Sequence, residues 1–254
     1  MKTINLLLSL LLIAFIGTSC GSSGTEDKGE EKKAENVEAA ADEDWTILFD
    51  GTSTDNFRGY GKEEFPEAGW EITENGELRC IGSGKGEAGG EGGDIITKNK
   101  YSNFELSLEW KISEGGNSGI FYLAQELEGK PIYMSAPEMQ ILDNEKHPDA
   151  KLGKDGNRQA GALYDLIPAV PQNAKPAGEW NSVKILVYDG TVVHTQNGEN
   201  VVEYHLWTDK WKEMCANSKF ADWPEFVDPA SEGYIGLQDH GNDVWFRNIK
   251  VKEL

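Results

Sequence analysis

The chain has 254 residues, with 44 Asp and Glu against 24 Lys and Arg, for a formal net charge of −20. So acidic a surface repels nucleic acid and anionic lipid, which argues against both as binding partners and favours a neutral substrate. The length suffices for one large sandwich domain or two small domains.

The amino terminus, MKTINLLLSLLLIAFIGTSC, carries Lys2, an apolar run from Ile4 to Ile16, then small residues before Cys20. That run is too short to span a bilayer comfortably and has the layout of a secretory signal. Residues 1–19 are therefore expected to be a lipoprotein signal peptide, with lipidation at Cys20. Gly17, Thr18 and Ser19 suit a signal peptidase groove, although Gly17 stands where such sites usually carry Leu. The expected location is the bacterial cell envelope, with a lipid anchor at Cys20 in the outer membrane. Residues 20–44 read as a flexible acidic tether, because from Gly21 to Asp44 there is one branched aliphatic residue, Val37, and no aromatic. Such a segment buries too little apolar surface to offset chain entropy.

From residue 45 to 254 the chain turns to short strand-like runs separated by Gly, Asn and Asp. FELSLEWKI alternates cleanly, with Phe104, Leu106, Leu108, Trp110 and Ile112 on one face, which predicts a half-buried strand. SGIFYLA, EMQIL, SVKILVY, TVVHTQ, NVVEYH, YIGLQDH and VWFRNIKV add further strands. Asp189-Gly190 and Asn197-Gly198 suit turns with positive φ, so residues 180–205 read as an antiparallel meander. DKWKEMCANSKFADWPEF sets Trp211, Met214, Cys215 and Ser218 at helical spacing and predicts one short helix stopping near Pro224. The fold class is all-β, a sandwich of two antiparallel sheets with one short helix. Cys80 and Cys215 are either one disulfide or two buried thiols.

Chemistry concentrates in a few places. The Gly82–Asp94 stretch, GSGKGEAGGEGGD, lacks the ending of a phosphate loop and reads as a mobile surface loop. PEMQILDN puts Glu138 and Gln140 on one strand face, which is costly to bury in a core and so marks a wet face or a site. GYIGLQDH repeats the pattern with Gly236, Gln238 and His240, and the two together suggest a concave polar groove. Asn117, in NSGIFY, is either a turn residue or part of that groove. His194 and His205 read as structural or exposed. His147, before Pro148 in an acidic loop, and His240, beside Asp239, are the functional candidates, and a carboxylate near His147 is expected to raise its pKa. HExxH, paired CxxC and GxSxG motifs are absent.

WTILFDGTS, GDIITKNKYSNFELSLEWKI, GGNSGIFYL, PEMQILDN, HPDAKLGKDGNRQAGALYDLIPA, GEWNSVKI and GYIGLQDHGNDVWFRNIKVKEL occur in order, and from Trp45 to Leu254 the chain resembles the 3-keto-disaccharide hydrolase family. It departs from the family pattern at Asn56-Phe57 and at Thr195-Gln196, both away from the groove. The resemblance implies a concanavalin-like jelly-roll sandwich, often found in envelope lipoproteins, acting on glycosides whose carbon 3 is a ketone. A ketone there acidifies the neighbouring hydrogen, so a base can form an enolate that expels the glycosidic oxygen, and water then adds.

On that resemblance Glu138, His147 and His240 are the expected proton-transfer groups. Asn117, Gln140, Arg158, Tyr164 and Gln238 are expected to bind substrate. Tyr164 is equally readable as a packing residue, and Arg158 as a clamp on carboxylates or a ligand of the ketone. A divalent metal ion, manganese, cobalt, zinc or calcium, is a possible cofactor, with Glu138, Asp143 and His240 as ligands. The expected substrate is an oxidised (3-keto) disaccharide or glucoside. The competing readings are a lyase that stops at elimination, a carbohydrate-binding module with Trp70, Trp207 or Trp223 as platforms, and a surface scaffold.

Overall fold

The computed structural model describes residues 44–85 and 90–254. The expected signal peptide, Cys20 and the tether up to residue 43 lie outside the described residues. In chain order the strands are β1 (Thr46–Phe49), β2 (Phe57–Gly59), β3 (Trp70–Ile72), β4 (Leu78–Cys80), β5 (Ile95–Thr97), β6 (Phe104–Ile112), β7 (Asn117–Ala124), β8 (Glu138–Leu142), β9 (Asn181–Tyr188), β10 (Thr191–Gln196), β11 (Glu199–His205), β12 (Tyr234–Leu237) and β13 (Val244–Glu253). One sheet runs β11-β10-β9-β6-β13-β4-β3, with β1 also paired to β13. The other runs β2-β5-β12-β7-β8. All pairings described are antiparallel, and the two sheets form the expected sandwich of the jelly-roll class.

β6 shows the predicted alternation, its five apolar residues buried and its polar ones half-buried. β7 and β8, in contrast, are buried along their whole length. Their inner face (Ile120 and Tyr122; Met139 and Ile141) meets the main core. Their outer face is partly roofed by Ile132 and Ala136, which pack on Phe121 and Ile96. A strand covered on both sides has no wet face to advertise, which is why EMQIL alternates imperfectly in sequence.

The meander is present as β9, β10 and β11. Its turns use positive φ at Asp189 (45°), Gly190 (77°), Asn197 (49°) and Gly198 (86°). The predicted single helix is corrected to two short ones. α1 (Asp209–Ala216) starts at a Thr208 cap, whose hydroxyl accepts from Trp211 N at 3.2 Å. It ends where Asn217 folds its side-chain amide back onto Glu213 O. Pro224 then begins, rather than stops, the single turn α2 (Pro224–Val227), because a proline at the first helical position gives up no hydrogen bond. Cys80 and Cys215 are separate buried thiols.

One polar chain crosses the core. His194 Nδ1 lies 3.0 Å from Gly161 O, so it donates there, and Nε2 accepts from the Tyr122 hydroxyl at 2.8 Å. Tyr122 in turn accepts from Tyr204 at 2.7 Å. The His194 ring nitrogens and the Tyr122 and Tyr204 hydroxyls of this relay all find partners, and His194 is structural, as the sequence suggests.

Candidate active site

The outer face of the five-stranded sheet carries the polar groups. Pairing places Gly119 opposite Gln140 and Phe121 opposite Glu138, so these residues and Asn117 share one face of β7 and β8. On β12, Gly236 pairs with Phe121, and Gln238 N donates to Gly119 O, which brings Gln238 onto the same face. Asp94 precedes β5 and accepts from Asp239 N at 2.9 Å. Neighbouring strands therefore supply one polar group after another: Asp94, Gln238, Asn117, then Gln140 and Glu138. Strands lie about 4.8 Å apart, so β5 and β8 are separated by roughly 14 Å.

Above this floor is a cleft of about 350 Å³, lined among others by Glu138, Gln140, Asn117, Gln238, His240 and Asp94. That volume falls in the range of about 300–1,000 Å³ that holds small ligands. The opposite wall is aromatic: Tyr133 precedes β8, and Phe220, Trp223 and Phe226 come from the segment spanning the two helices. Trp223 faces Tyr133 with ring centroids 5.7 Å apart, and Lys130 and Glu225 clasp the same two segments at 3.3 Å. One wall hydrogen-bonds and the other stacks.

Amide relays fix the polar side. Gln140 Nε2 donates to Asn117 Oδ1 at 2.9 Å, which leaves Asn117 Nδ2 to donate to His240 Nε2 at 3.2 Å. Asn117 is thus a strand residue inside the site, and not a turn residue. The Gln238 Oε1 atom is buried without a hydrogen-bond partner, an acceptor ready for a ligand hydroxyl. Glu138 is 8% exposed, and its carboxylate lies over Gly119.

Tyr164 also lines the cleft. Residues 161–164 pair along the free edge of β8, with Gly161 N bonded to Gln140 O and Tyr164 N to Glu138 O. The Tyr164 hydroxyl donates to Asp149 Oδ2 at 2.9 Å. Burial and the Asp149 charge push that hydroxyl far above its ordinary pKa, so it remains a donor.

Three expectations need correction. Arg158 does not line the cleft as a ligand of the ketone; its other reading holds, because its Nε bonds Asp165 and its Nη1 bonds Asp149 at 2.8 Å, so it clamps two carboxylates behind Tyr164. Asp143 faces away, its carboxylate accepting from the backbone N–H of Gly115, Glu145 and Lys146, which makes it a turn anchor. His147 caps the turn at Pro148 by accepting from Asp149 N, and its ring meets that of His240 edge-on at 6.2 Å. Burial, and then the neighbouring His240, lower its pKa, overriding the two nearby Asp residues that were expected to raise it.

The predicted metal ligands consequently do not converge. Among the described residues no three His, Cys, Asp or Glu side chains are grouped to hold a metal ion. The residues do not fit the expected set, because Asp143 is spent on backbone N–H groups away from Glu138 and His240.

The sequence also leaves contributors unnoticed. Lys219 is an exposed residue whose ammonium turns into the cleft, 4.2 Å from the centre of the Tyr164 ring. Burial of that end lowers its pKa, while Asp165 and Glu138 hold it up. It is the cation the groove lacked once Arg158 proved remote. Asp94 and Asp239 sit at the end of the glycine loop, whose described end is pinned rather than mobile: Gly90 N and Gly93 N both donate to Asp239 Oδ2. Of the tryptophans considered as platforms, Trp223 lines the cleft, Trp70 is buried against Phe246, and Trp207 bonds Pro229 O.

A family described as the 3-keto-alpha-glucoside-1,2-lyase-like domain matches residues 44–252. The chain belongs to this family. A relative from Bacteroides thetaiotaomicron (strain VPI-5482), named 3-keto-disaccharide hydrolase, is 57% identical over 229 residues, 83% of this chain and 78% of that protein. A crystal structure of a protein from Parabacteroides distasonis, named a putative glycosyl hydrolase, superposes with a TM-score of 0.74 at 29% identity, covering 86% of this chain and 97% of that one. A second from the same organism, under the same name, gives a TM-score of 0.64 at 27% identity over 83% and 99%. The two crystal structures share the sandwich fold of this chain.

Proposed function

We propose that this protein cleaves the glycosidic bond of 3-keto disaccharides or glucosides by proton abstraction, elimination and hydration. What supports this reading is one cleft in which Glu138, Gln140, Asn117, Gln238 and His240 converge with a single cation, Lys219. The family match and the relative named 3-keto-disaccharide hydrolase point to the same chemistry.

Glu138 is the base. It removes the hydrogen beside the ketone, and the electron pair moves onto the ketone oxygen. That oxygen gains charge only as the proton leaves, so a cation at its position stabilises the transition state more than the ground state. Lys219 takes this role. Collapse of the enolate expels the glycosidic oxygen from the anomeric carbon. Gln140, Asn117 and Gln238 bind the ring hydroxyls, and the Asn117 bond to His240 holds that imidazole at the cleft as a second proton-transfer group. Tyr164 forms the edge of the site on Asp149 and Arg158. A simple glycosidase pairs two facing carboxylates across the bond, whereas a ketone-activated elimination needs one base and an electron sink.

Whether water adds before the enone leaves separates a hydrolase from a lyase, and the family description and the relative's name divide on this point. We assign hydrolysis, because the cleft's polar floor gives water acceptors and donors at the anomeric carbon. The test is incubation with a 3-keto disaccharide in heavy water, followed by NMR. Deuterium at the carbon next to the ketone, with free sugar as product, is expected. Cleavage without any such exchange would overturn the elimination route, and an accumulating enone would make the protein a lyase. The envelope location and the lipid anchor at Cys20 remain proposals of the same kind, tested by metabolic labelling with a palmitate analogue.

A further inference from the structure

We propose that Asp94 is the acid that protonates the departing glycosidic oxygen, an assignment that rests on the elimination chemistry proposed above. Asp94 lines the cleft from the start of β5, across β12 and β7 from Glu138 on β8. The β5 and β8 strands are roughly 14 Å apart, but the Glu138 carboxylate leans over Gly119 on β7, about 10 Å from β5 by strand spacing. Base and acid thus approach from two sides the hydrogen and the glycosidic oxygen carried on adjacent ring carbons.

The neighbouring carboxyl, Asp239, takes most of the N–H donors of this corner. Asp239 is 5% exposed and its carboxylate accepts from three backbone N–H groups, Gly90 at 2.8 Å, Gly93 at 3.1 Å and Gly241 at 3.0 Å. The approach is so close that a Cβ at Gly90 would stand 2.6 Å from Asp239 Oδ2. Asp94 has one such donor, Asp239 N. A buried carboxyl with a single N–H donor and another carboxyl beside it holds a negative charge poorly. The proton therefore belongs on Asp94. Burial, with the Asp239 charge adding to it and the Asp239 N–H opposing, raises the Asp94 pKa to about 7. The other titratable groups facing Asp94 are the Cys80 thiol and the Tyr60 hydroxyl, both raised by burial and so neutral near that pH.

The step balances. Glu138 takes the proton beside the ketone, the carbon–carbon double bond forms toward the anomeric carbon, and the bond from that carbon to the glycosidic oxygen breaks. Its electron pair stays on the oxygen, which takes the Asp94 proton and leaves as an alcohol. In hydration, water gives its hydroxide to the anomeric carbon and its other proton to Asp94, while Glu138 returns its proton to the ring carbon. Both groups end as they began.

An acid matters only when the leaving group is poor, and this gives the test. Wild type and Asp94→Asn are compared on a 3-keto disaccharide and on p-nitrophenyl 3-keto-glucoside, whose phenolate leaves unaided. Asp94→Asn is expected to lose about 100-fold or more in kcat on the disaccharide and under about fivefold on the aryl substrate. Equal losses on both would overturn the assignment. Wild type alone supplies an independent reading should the variant fold poorly. Its disaccharide kcat is expected to fall as pH rises through about 7, where the acid loses its proton, with no such fall for the aryl substrate. The same alkaline limb on both substrates would overturn the assignment. If wild type cleaves neither 3-keto substrate, the proposed function fails first, and Asp94 with it.

Discussion

The Glu138 carboxylate occupies the space that a side chain on Gly119 would fill. Gly119 pairs with Gln140, one pair along from Phe121 and Glu138, so Glu138 leans diagonally across β7 toward the centre of the cleft. Gly119→Ala is expected to fold, because the atom in the way is the end of a flexible side chain. It will displace that carboxylate, and a shift of about 1 Å costs on the order of 100-fold in rate. Steady-state kcat beside a thermal melt checks this: an unchanged kcat in a variant of unchanged stability would remove Glu138 from the reaction.

Glu138→Gln keeps the shape and removes the base. The expected loss in kcat is about 10²–10⁴-fold, with KM little altered. Deuterium exchange next to the ketone should vanish together with cleavage. Exchange that survives while cleavage stops would hand the base role to His240, which also lines the cleft.

Lys219 and Arg158 make a paired prediction, because one lines the cleft and the other stands behind it. Lys219→Met is expected to lower kcat by about 10–100-fold and leave the melting temperature near wild type. Arg158→Met leaves Asp149 and Asp165 without their shared partner and is expected to cost about 2 kcal/mol of stability, measured by urea unfolding. A reversed pattern would place the cation of the reaction at Arg158 after all.

Much of this site could be read from period-two alternation. Glu138, Gln140 and Gln238 declared themselves by standing on strand faces where apolar residues would otherwise be buried, and the structure sets them in one hollow. Lys219 and Asp94 gave no such sign. Lys219 sits in an irregular stretch between two short helices, where no periodicity says which way a side chain turns. Asp94 closes a glycine-rich run whose composition resembles an idle loop, and its significance comes from Asp239, 145 residues later in the chain. Arg158 and Asp143 misled for the converse reason: local bonds to Asp149, Asp165 and the backbone consume their charges, and sequence shows charge without its partner. The split of the helix is hidden in the sequence because a proline suits a helix stop and a first helical residue alike, and Pro224 is the latter.

Trp223 gives the aromatic wall its test. A flat ring facing Tyr133 at the mouth suits the apolar face of a second sugar ring or an aryl group and plays no part in proton transfer. Trp223→Ala is expected to raise KM by roughly tenfold, about 1.4 kcal/mol, with kcat within about twofold. A loss confined to kcat would mean the wall acts by excluding water from the reacting end.

Two buried groups make opposite contributions to stability against pH, and single variants separate them. His194 has a folded pKa lowered by burial to about 4 from an ordinary 6.5, so its contribution is complete above 6.5 and is lost as pH falls toward 4. The full linkage is about 3 kcal/mol. Wild type should therefore exceed His194→Gln in stability at pH 7. That gap should narrow as the pH falls, because the imidazole must charge inside the core. Asp94 has a folded pKa raised to about 7 from 3.8, so its contribution is complete below 3.8 and is lost as pH rises through 7. Asp94→Asn keeps an acceptor for Asp239 N and abolishes the buried charge. It should be more stable than wild type above pH 8, by about 2 kcal/mol, which is half the full linkage because part of the side chain faces the cleft. That advantage should shrink to roughly 0.8 kcal/mol by pH 5, since about 1.2 of the 3.2 units between the two pKa values still lies below that pH, and vanish only below about pH 3.8. Urea midpoints for the three proteins at pH 5, 7 and 8.5 resolve both terms. An Asp94→Asn difference that ignores pH would mean that Asp94 is already ionised at neutral pH, and the acid would then have to be sought elsewhere in the cleft.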